Sequence, residues 1–248
     1  MFIRGEDVSP FTTPTLQSVV EQSLNGVLGK YAVFIKNLKT DESYKRNQDI
    51  EFELGSLYKI WLMRSVMEEL KSGQLNEDER IVENIASLNK RFNIASEEAE
   101  FKGGEVEFSV NSALEQMITI SHNYAALSLL ARVGDKNIPK KVMAEEVALF
   151  FEGMYKGEMI DWEYSQKMLE LLSRQKINDR IPKYLPAGTK VAHKTGDIGY
   201  FEHDAGIIYT AKGDYIIVVL TESNSPSDAD EKIAQISKAV YEYFSKER

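Results

Sequence analysis

Stretches with strand character lie at both ends of this 248-residue chain, and neither end can build a stable sheet by itself. Near the start, Tyr31–Asn37 and Glu42–Ile50 read as a hairpin turning at Lys39-Thr40-Asp41. Near the end, Thr189–Lys194, Asp204–Thr210 and Tyr215–Thr221 are rich in Val, Ile and Tyr, and Lys212-Gly213-Asp214 joins the last two as a tight turn. A lone two-stranded hairpin is marginal in water. Strands from the two ends are therefore expected to share one antiparallel sheet of about five strands. Helices flank it: one around Thr15–Leu28, after Pro14, and one over Asp228–Phe244, where Ile233, Ile236, Val240 and Tyr243 recur at helical spacing.

Between these ends, Ser56 to about Arg174 reads as helix and loop. Residues Lys59–Leu70 hold Ile60, Trp61, Leu62, Met63, Val66, Met67 and Leu70, apolar around most of the circumference, so this helix is expected inside the fold. Gly73 suits its C-terminal cap. Ser112 and Glu115 resemble a capping box for a helix toward Ile120. Further helices are expected over Asn123–Val133 and Val142–Tyr155, and the loop Ala95–Glu107, with Gly103-Gly104, as the most mobile surface element. The fold class that results is α+β, an antiparallel sheet with an inserted all-helical lobe. As domains, residues 1–50 and 183–248 are expected to form the discontinuous sheet lobe and 51–182 the helical lobe, with any functional site at their interface.

Charge and composition exclude several functions. A net charge of −9 leaves no excess of Lys and Arg to neutralise phosphates, which argues against nucleic acid as a partner. With no cysteine, disulfides and thiolate metal sites are excluded, and His122, His193 and His203 have no metal-ligand spacing. No stretch approaches the ~20 apolar residues of a membrane helix. The opening Met1–Glu6 lacks the charged-then-apolar pattern of a secretory signal.

Three short patterns carry chemistry: Ser56-Leu57-Tyr58-Lys59, Ser121-His122-Asn123 and Lys194-Thr195-Gly196. Singly they are uninformative, since S-x-x-K recurs at Ser87–Lys90 and Ser173–Lys176; order and context distinguish them. Ser56 opens the buried helix, where the dipole favours developing negative charge, and Lys59 lies one turn on, facing the same side. A serine hydroxyl needs a base, and a lysine serves if burial and a neighbouring cation hold it neutral. The plainer reading is a solvent-facing capping serine. Ser121-His122-Asn123 falls between two helices, where Ser121 could relay a proton and Asn123 hold substrate and Lys59, or where either residue simply caps a helix. Lys194-Thr195-Gly196 ends the expected strand Thr189–Lys194. There Lys194 would lower neighbouring pKa values and attract a carboxylate, Thr195 would donate a hydrogen bond, and Gly196 would let an extended substrate lie against the strand edge. A turn at Gly196 is the simpler alternative.

In this order the three patterns resemble those of class A β-lactamases and penicillin-binding proteins, serine enzymes that recognise penicillins. The resemblance extends over most of Ile50–Thr221, including L-P-A-G-T-K-V-A-H-K-T-G-D and H-D-A-G-I-I-Y. It implies an acyl-enzyme on Ser56, activated by Lys59. The backbone N–H groups of Ser56 and Asp197 would form the oxyanion hole, and Ser121 would pass a proton to the leaving nitrogen. Asn123, Lys194, Thr195 and Gly196 would bind substrate, a β-lactam, a related amide or ester, or a cell-wall peptide. No metal or organic cofactor is implied, and the expected location is extracytoplasmic.

The sequence also departs from that family. The deacylating glutamate, with asparagine four residues later, has no counterpart in the 73 positions from Ser121 to Lys194, so its loop reads as deleted and acyl-enzyme hydrolysis is expected to be slow. His122 replaces the usual aspartate. No arginine occurs in residues 197–204, whereas Asp197 and Glu202 are acidic, so a carboxylate-bearing β-lactam is expected to bind weakly. The alternatives are a D-Ala-D-Ala-type peptidase, a catalytically weak binding or sensor domain, and, last, a Ser-His-Asp hydrolase, for which the G-x-S-x-G elbow is missing.

Overall fold

A computed structural model describes residues 14–246. The N-terminal Met1–Glu6 pattern lies outside the described residues. In chain order the elements are α1 (Leu16–Ser23), β1 (Lys30–Asn37), β2 (Ser43–Arg46), β3 (Phe52–Glu53), a 3₁₀ turn (Gly55–Leu57), α2 (Tyr58–Ser72), β4 (Arg80–Asn84), α3 (Ile85–Arg91), β5 (Glu105–Ser109) and α4 (Val110–Thr119). There follow α5 (Asn123–Val133), β6 (Lys141–Val142), α6 (Ala144–Lys156), α7 (Trp162–Leu172), β7 (Val191–Ile198), β8 (Phe201–Ile208), β9 (Tyr215–Glu222) and α8 (Pro226–Ser245). The fold is α+β. Strands from both ends form one five-stranded sheet in the order β2-β1-β9-β8-β7, antiparallel throughout.

Strand β9 shows why the sheet holds together. Its run Tyr215–Thr221 is buried on both faces, and successive side chains point to opposite sides. Ile216, Val218 and Leu220 join the core shared with α2 and α4–α7, whereas Ile217 and Val219 pack with residues of α1 and α8. Each such side chain contributes about 1.5–3 kcal/mol of burial. Among the described residues no helix is long and apolar enough to cross a membrane.

Local chemistry moved several expected boundaries. Helix α1 stops at Ser23 rather than running to Leu28, because the chain turns at Gly26, with φ +74°. Strand β2 is shorter than Glu42–Ile50: Asn47 adopts φ +52°, and its amide donates to Tyr31 O at 2.7 Å. Helix α4 is capped by Ser109, not Ser112; Ser109 Oγ accepts from Ser112 N–H, and Ser112 Oγ accepts from Ser109 N–H. The central region also carries two short strand pairs, β4 with β5 and β3 with β6. Glu105–Glu107 of the expected loop thus belong to β5, where Glu107 pairs with Arg80 of β4. Strand β7 continues to Ile198, placing Lys194-Thr195-Gly196 inside the strand, because its ladder with β8 runs unbroken to Ile198↔Phe201.

Strand β7 is one edge of the sheet, opposite β2, and the 3₁₀ turn leans directly on it. A Cβ at Gly196 would stand 2.7 Å from Leu54 O and 2.8 Å from Leu57 Cγ. One at Gly55, where φ is +47°, would stand 2.8 Å from Asp197 N. The room left by Gly196 is thus filled by this turn, not by an extended substrate. On the other side, neutral His203 ties β8 to the same segment, with Nε2–H donating to Glu53 O at 2.7 Å and Nδ1 accepting from Thr221 N–H at 3.1 Å. Burial pushes its pKa down to about 4, so this tether keeps its hydrogen bonds through the neutral range. Gly196→Ala is expected to destabilise the protein by about 1–3 kcal/mol, the usual range for overpacking. Denaturant unfolding would measure it, and unchanged stability would mean the turn is not tightly docked.

Candidate active site

Helix α2 carries Ser56 and Lys59 to the centre of the molecule because Ile60, Leu62, Met63, Val66 and Met67 bury most of its surface. Ser56 lies in the 3₁₀ turn just before the helix, half-buried, and Lys59 is fully buried. Lys59 Nζ lies 3.0 Å from Ser56 Oγ, 2.6 Å from Ser121 O, 3.0 Å from Ser121 Oγ and 2.9 Å from Asn123 Oδ1. A neutral amine has two N–H groups and one lone pair. It can donate to Ser121 O and Asn123 Oδ1 while accepting the Ser56 hydroxyl proton.

The segment linking α4 and α5 brings the second pattern to this amine. Ser121 adopts φ +58°, uncommon for a residue with a Cβ, and this turn aims both its carbonyl and its hydroxyl at Lys59. Next to it, His122 Nδ1 accepts from Ala125 N–H at 3.2 Å and caps α5, with its ring edge-on to Phe108. The residue found in place of aspartate therefore holds the helix that presents Asn123. Asn123 is exposed, and its Nδ2 donates to Glu100 at 3.5 Å.

From β7, Lys194 Nζ donates to Ser121 Oγ at 3.1 Å and to Thr195 O at 2.9 Å. Ser121 Oγ thus bridges two buried amines. Thr195 is fully buried, and its Oγ1 has no hydrogen-bond partner among the described residues. The Gly55–Asp197 approach brings Asp197 N beside the turn that carries Ser56. The structure thus brings Ser56, Lys59, Ser121, Asn123 and Lys194 into one bonded cluster and places Thr195, Gly196 and Asp197 along its β7 wall. Of the three histidines, none hydrogen-bonds to Ser56 in the described structure. His193 instead pairs with Asp204 at 2.9 Å behind β7, which leaves the Ser-His-Asp reading without its geometry.

Electrostatics separate the two lysines from ordinary ones. Loss of water pulls Lys59 down to about 8, partly offset by the negative charges of Asp197 and Glu100. Burial lowers Lys194 to about 7, with the neighbouring Lys59 charge adding to the effect. Sequence reasoning missed Arg180, from the loop before β7. Buried, it donates to His203 O at 2.7 Å and Gly196 O at 3.3 Å, and pairs with Glu202 and Asp230. It also missed Glu100 and His203. No motif marks any of the three, and only the fold brings them to the site.

Both lysines are held below the unfolded value of 10.5, so the folded chain sheds protons that the unfolded chain keeps. Stability contributed by the pair therefore rises as pH climbs from about 7 toward 10. Melting curves across pH 6–9 should show the parent gaining on a Lys59→Met/Lys194→Met variant. Parallel profiles would contradict the buried, partly neutral pair.

Comparison with known proteins agrees with this geometry. The β-lactamase enzyme family model matches residues 15–143 and 139–244. The β-lactamase VEB-1 of Pseudomonas aeruginosa is 24% identical over 94% of this chain and 91% of its own length. The crystal structure of a β-lactamase from Sphaerobacter thermophilus superposes with a TM-score of 0.78 at 23% identity, covering 92% of this chain and 95% of that one. A mutant of PBP-A, solved as an acyl-enzyme complex with penicillin G, superposes with a TM-score of 0.76 at 20% identity, covering 94% and 96%. These structures share the fold, and the family model spans the buried helix, the Ser121 turn and the β7 wall alike: the chain belongs to the β-lactamase enzyme family.

Proposed function

We propose that the protein is a serine acyl-transfer enzyme that opens β-lactam amides through an acyl-enzyme on Ser56 and releases the product slowly. The observation that carries this reading is the Ser56–Lys59 contact at 3.0 Å with Lys59 buried and bonded on every side. In the first step Ser56 Oγ bonds to the carbonyl carbon while its proton passes to Lys59 Nζ. The carbonyl oxygen becomes an oxyanion facing the backbone N–H groups of Ser56 and Asp197, donors typically worth ~3 kcal/mol each. The C–N bond then breaks, and the nitrogen takes the Ser121 hydroxyl proton, which the Lys59 ammonium restores. Lys194, one bond further, favours the transfer by its charge. We read the site as lying between the sheet unit, residues 1–50 and 183–248, and the helical unit, 51–182, in a protein that works outside the cytoplasm.

Slow release follows from what the glutamates between the second and third patterns do. Glu145 pairs with Lys45, Glu146 accepts from Met143 N–H, Glu152 pairs with Lys36 and Lys156, and Glu163 pairs with Lys167. These four are engaged by partners on or beside α6 and α7, so none of them is assigned to activate water. The same fold carries penicillin G as an acyl-enzyme in the PBP-A mutant, which supports the acylation step of this reading.

Intact-protein mass spectrometry after mixing with a penicillin tests the proposal. The parent should gain one adduct that persists for minutes, Ser56→Ala none, and Lys59→Ala at least 10³-fold more slowly. An adduct on Ser56→Ala, or acylation untouched in Lys59→Ala, would refute the assigned roles, and release within seconds would refute slow deacylation.

A further inference from the structure

Resting on the acyl-transfer reading, we infer that the site prefers acyl donors with no carboxylate beside the scissile bond: uncharged, apolar esters and amides. An anionic substrate needs a free cation or hydroxyl donor next to the nucleophile. Along β7 each such group is already covered or engaged. Arg180 gives Nη1 to the carbonyls of Gly196 and His203, Nη2 to Glu202 and Nε to Asp230, and is only 5% exposed. Three carboxyl groups surround it, the third being Asp197 at 3.9 Å, so its charge is already shared within the protein. Thr195 Oγ1 and Lys194 lie beneath the surface.

Two exposed acids reach the groups around the nucleophile. The Asp197 side chain is 57% exposed beside the turn that carries Ser56, and Glu100 reaches Asn123 from the opposite side. Both fields act on Lys59, so an incoming carboxylate would meet two negative charges before it met the buried amines. Exposed apolar side chains stand close to these groups in the chain. Ile198 and Tyr200, at the end of the β7–β8 hairpin, Phe101, next to Glu100, and Ile120, next to Ser121, are all exposed. Exposed side chains of this kind gain by being covered with an apolar group.

Benzylpenicillin and its methyl ester differ only in that carboxylate, and their second-order acylation rates can be read by rapid-quench mass spectrometry at low salt. The ester should acylate the parent at least tenfold faster than the free acid. In Asp197→Asn, which keeps the backbone N–H but loses the charge, the ester-to-acid ratio should fall at least threefold. A free acid that acylates as fast as its ester, or a ratio unmoved by Asp197→Asn, would overturn the inference and leave Ser56 acylation standing. Failure of both compounds to label the protein would overturn the acyl-transfer reading with it.

Discussion

An amine in the centre of a protein is costly to hold, and Lys59 is held by geometry that the whole fold supplies. Desolvation lowers its pKa to about 8, while four oxygens within 3.0 Å prevent the nitrogen from being left unpaired. Those oxygens come from the 3₁₀ turn, the segment between α4 and α5, and the first residue of α5. The apolar face of α2 fixes the amine, and the two-sided burial of β9 anchors the sheet whose edge closes the site. Removing any one support would leave either a hydrated lysine, its pKa back toward the ordinary 10.5, or a buried amine without partners.

Two further constraints sharpen the arrangement. Backbone meets backbone where Gly55 and Gly196 lack side chains, so the nucleophile turn and the β7 edge sit at fixed separation and bring Asp197 N beside Ser56. Ser121 accepts an unfavourable φ and in return faces both lysines. Conformational strain of this kind, of order 1–3 kcal/mol, persists only where surrounding contacts over-determine it. Here the two amines and the capped start of α5 do so. Arg180 takes the complementary role behind the wall, bonding paired residues Gly196 and His203 and balancing acids that would otherwise repel one another.

Much of this was legible in the amino-acid order. The apolar circumference after Ser56 implied a buried helix, and burial implied a shifted lysine, before any distance was known. The β-rich run Tyr215–Thr221 implied a strand in a sheet shared with the other end of the chain. What was not legible is what depends on non-local contact. Arg180 sits in a loop with no pattern of its own, and its partners Glu202 and Asp230 lie 22 and 50 residues away. Ser109 and Ser112 each offer a hydroxyl three residues before a polar side chain, Ser112 and Glu115, and only the end of the β5 strand decides where α4 begins. Gly196 was read as space for substrate, since sequence cannot say which backbone approaches a missing Cβ.

The protonation of Lys59 is where these observations converge, and it can be followed by NMR titration of the protein with isotope-labelled lysine side chains, assigned with Lys59→Arg. A midpoint near 8, well below the ordinary lysine value, would establish a buried amine poised to accept the Ser56 proton. A midpoint near the ordinary lysine value of 10.5, in a protein whose Ser56 still acylates at neutral pH, would mean that Lys59 is not the base.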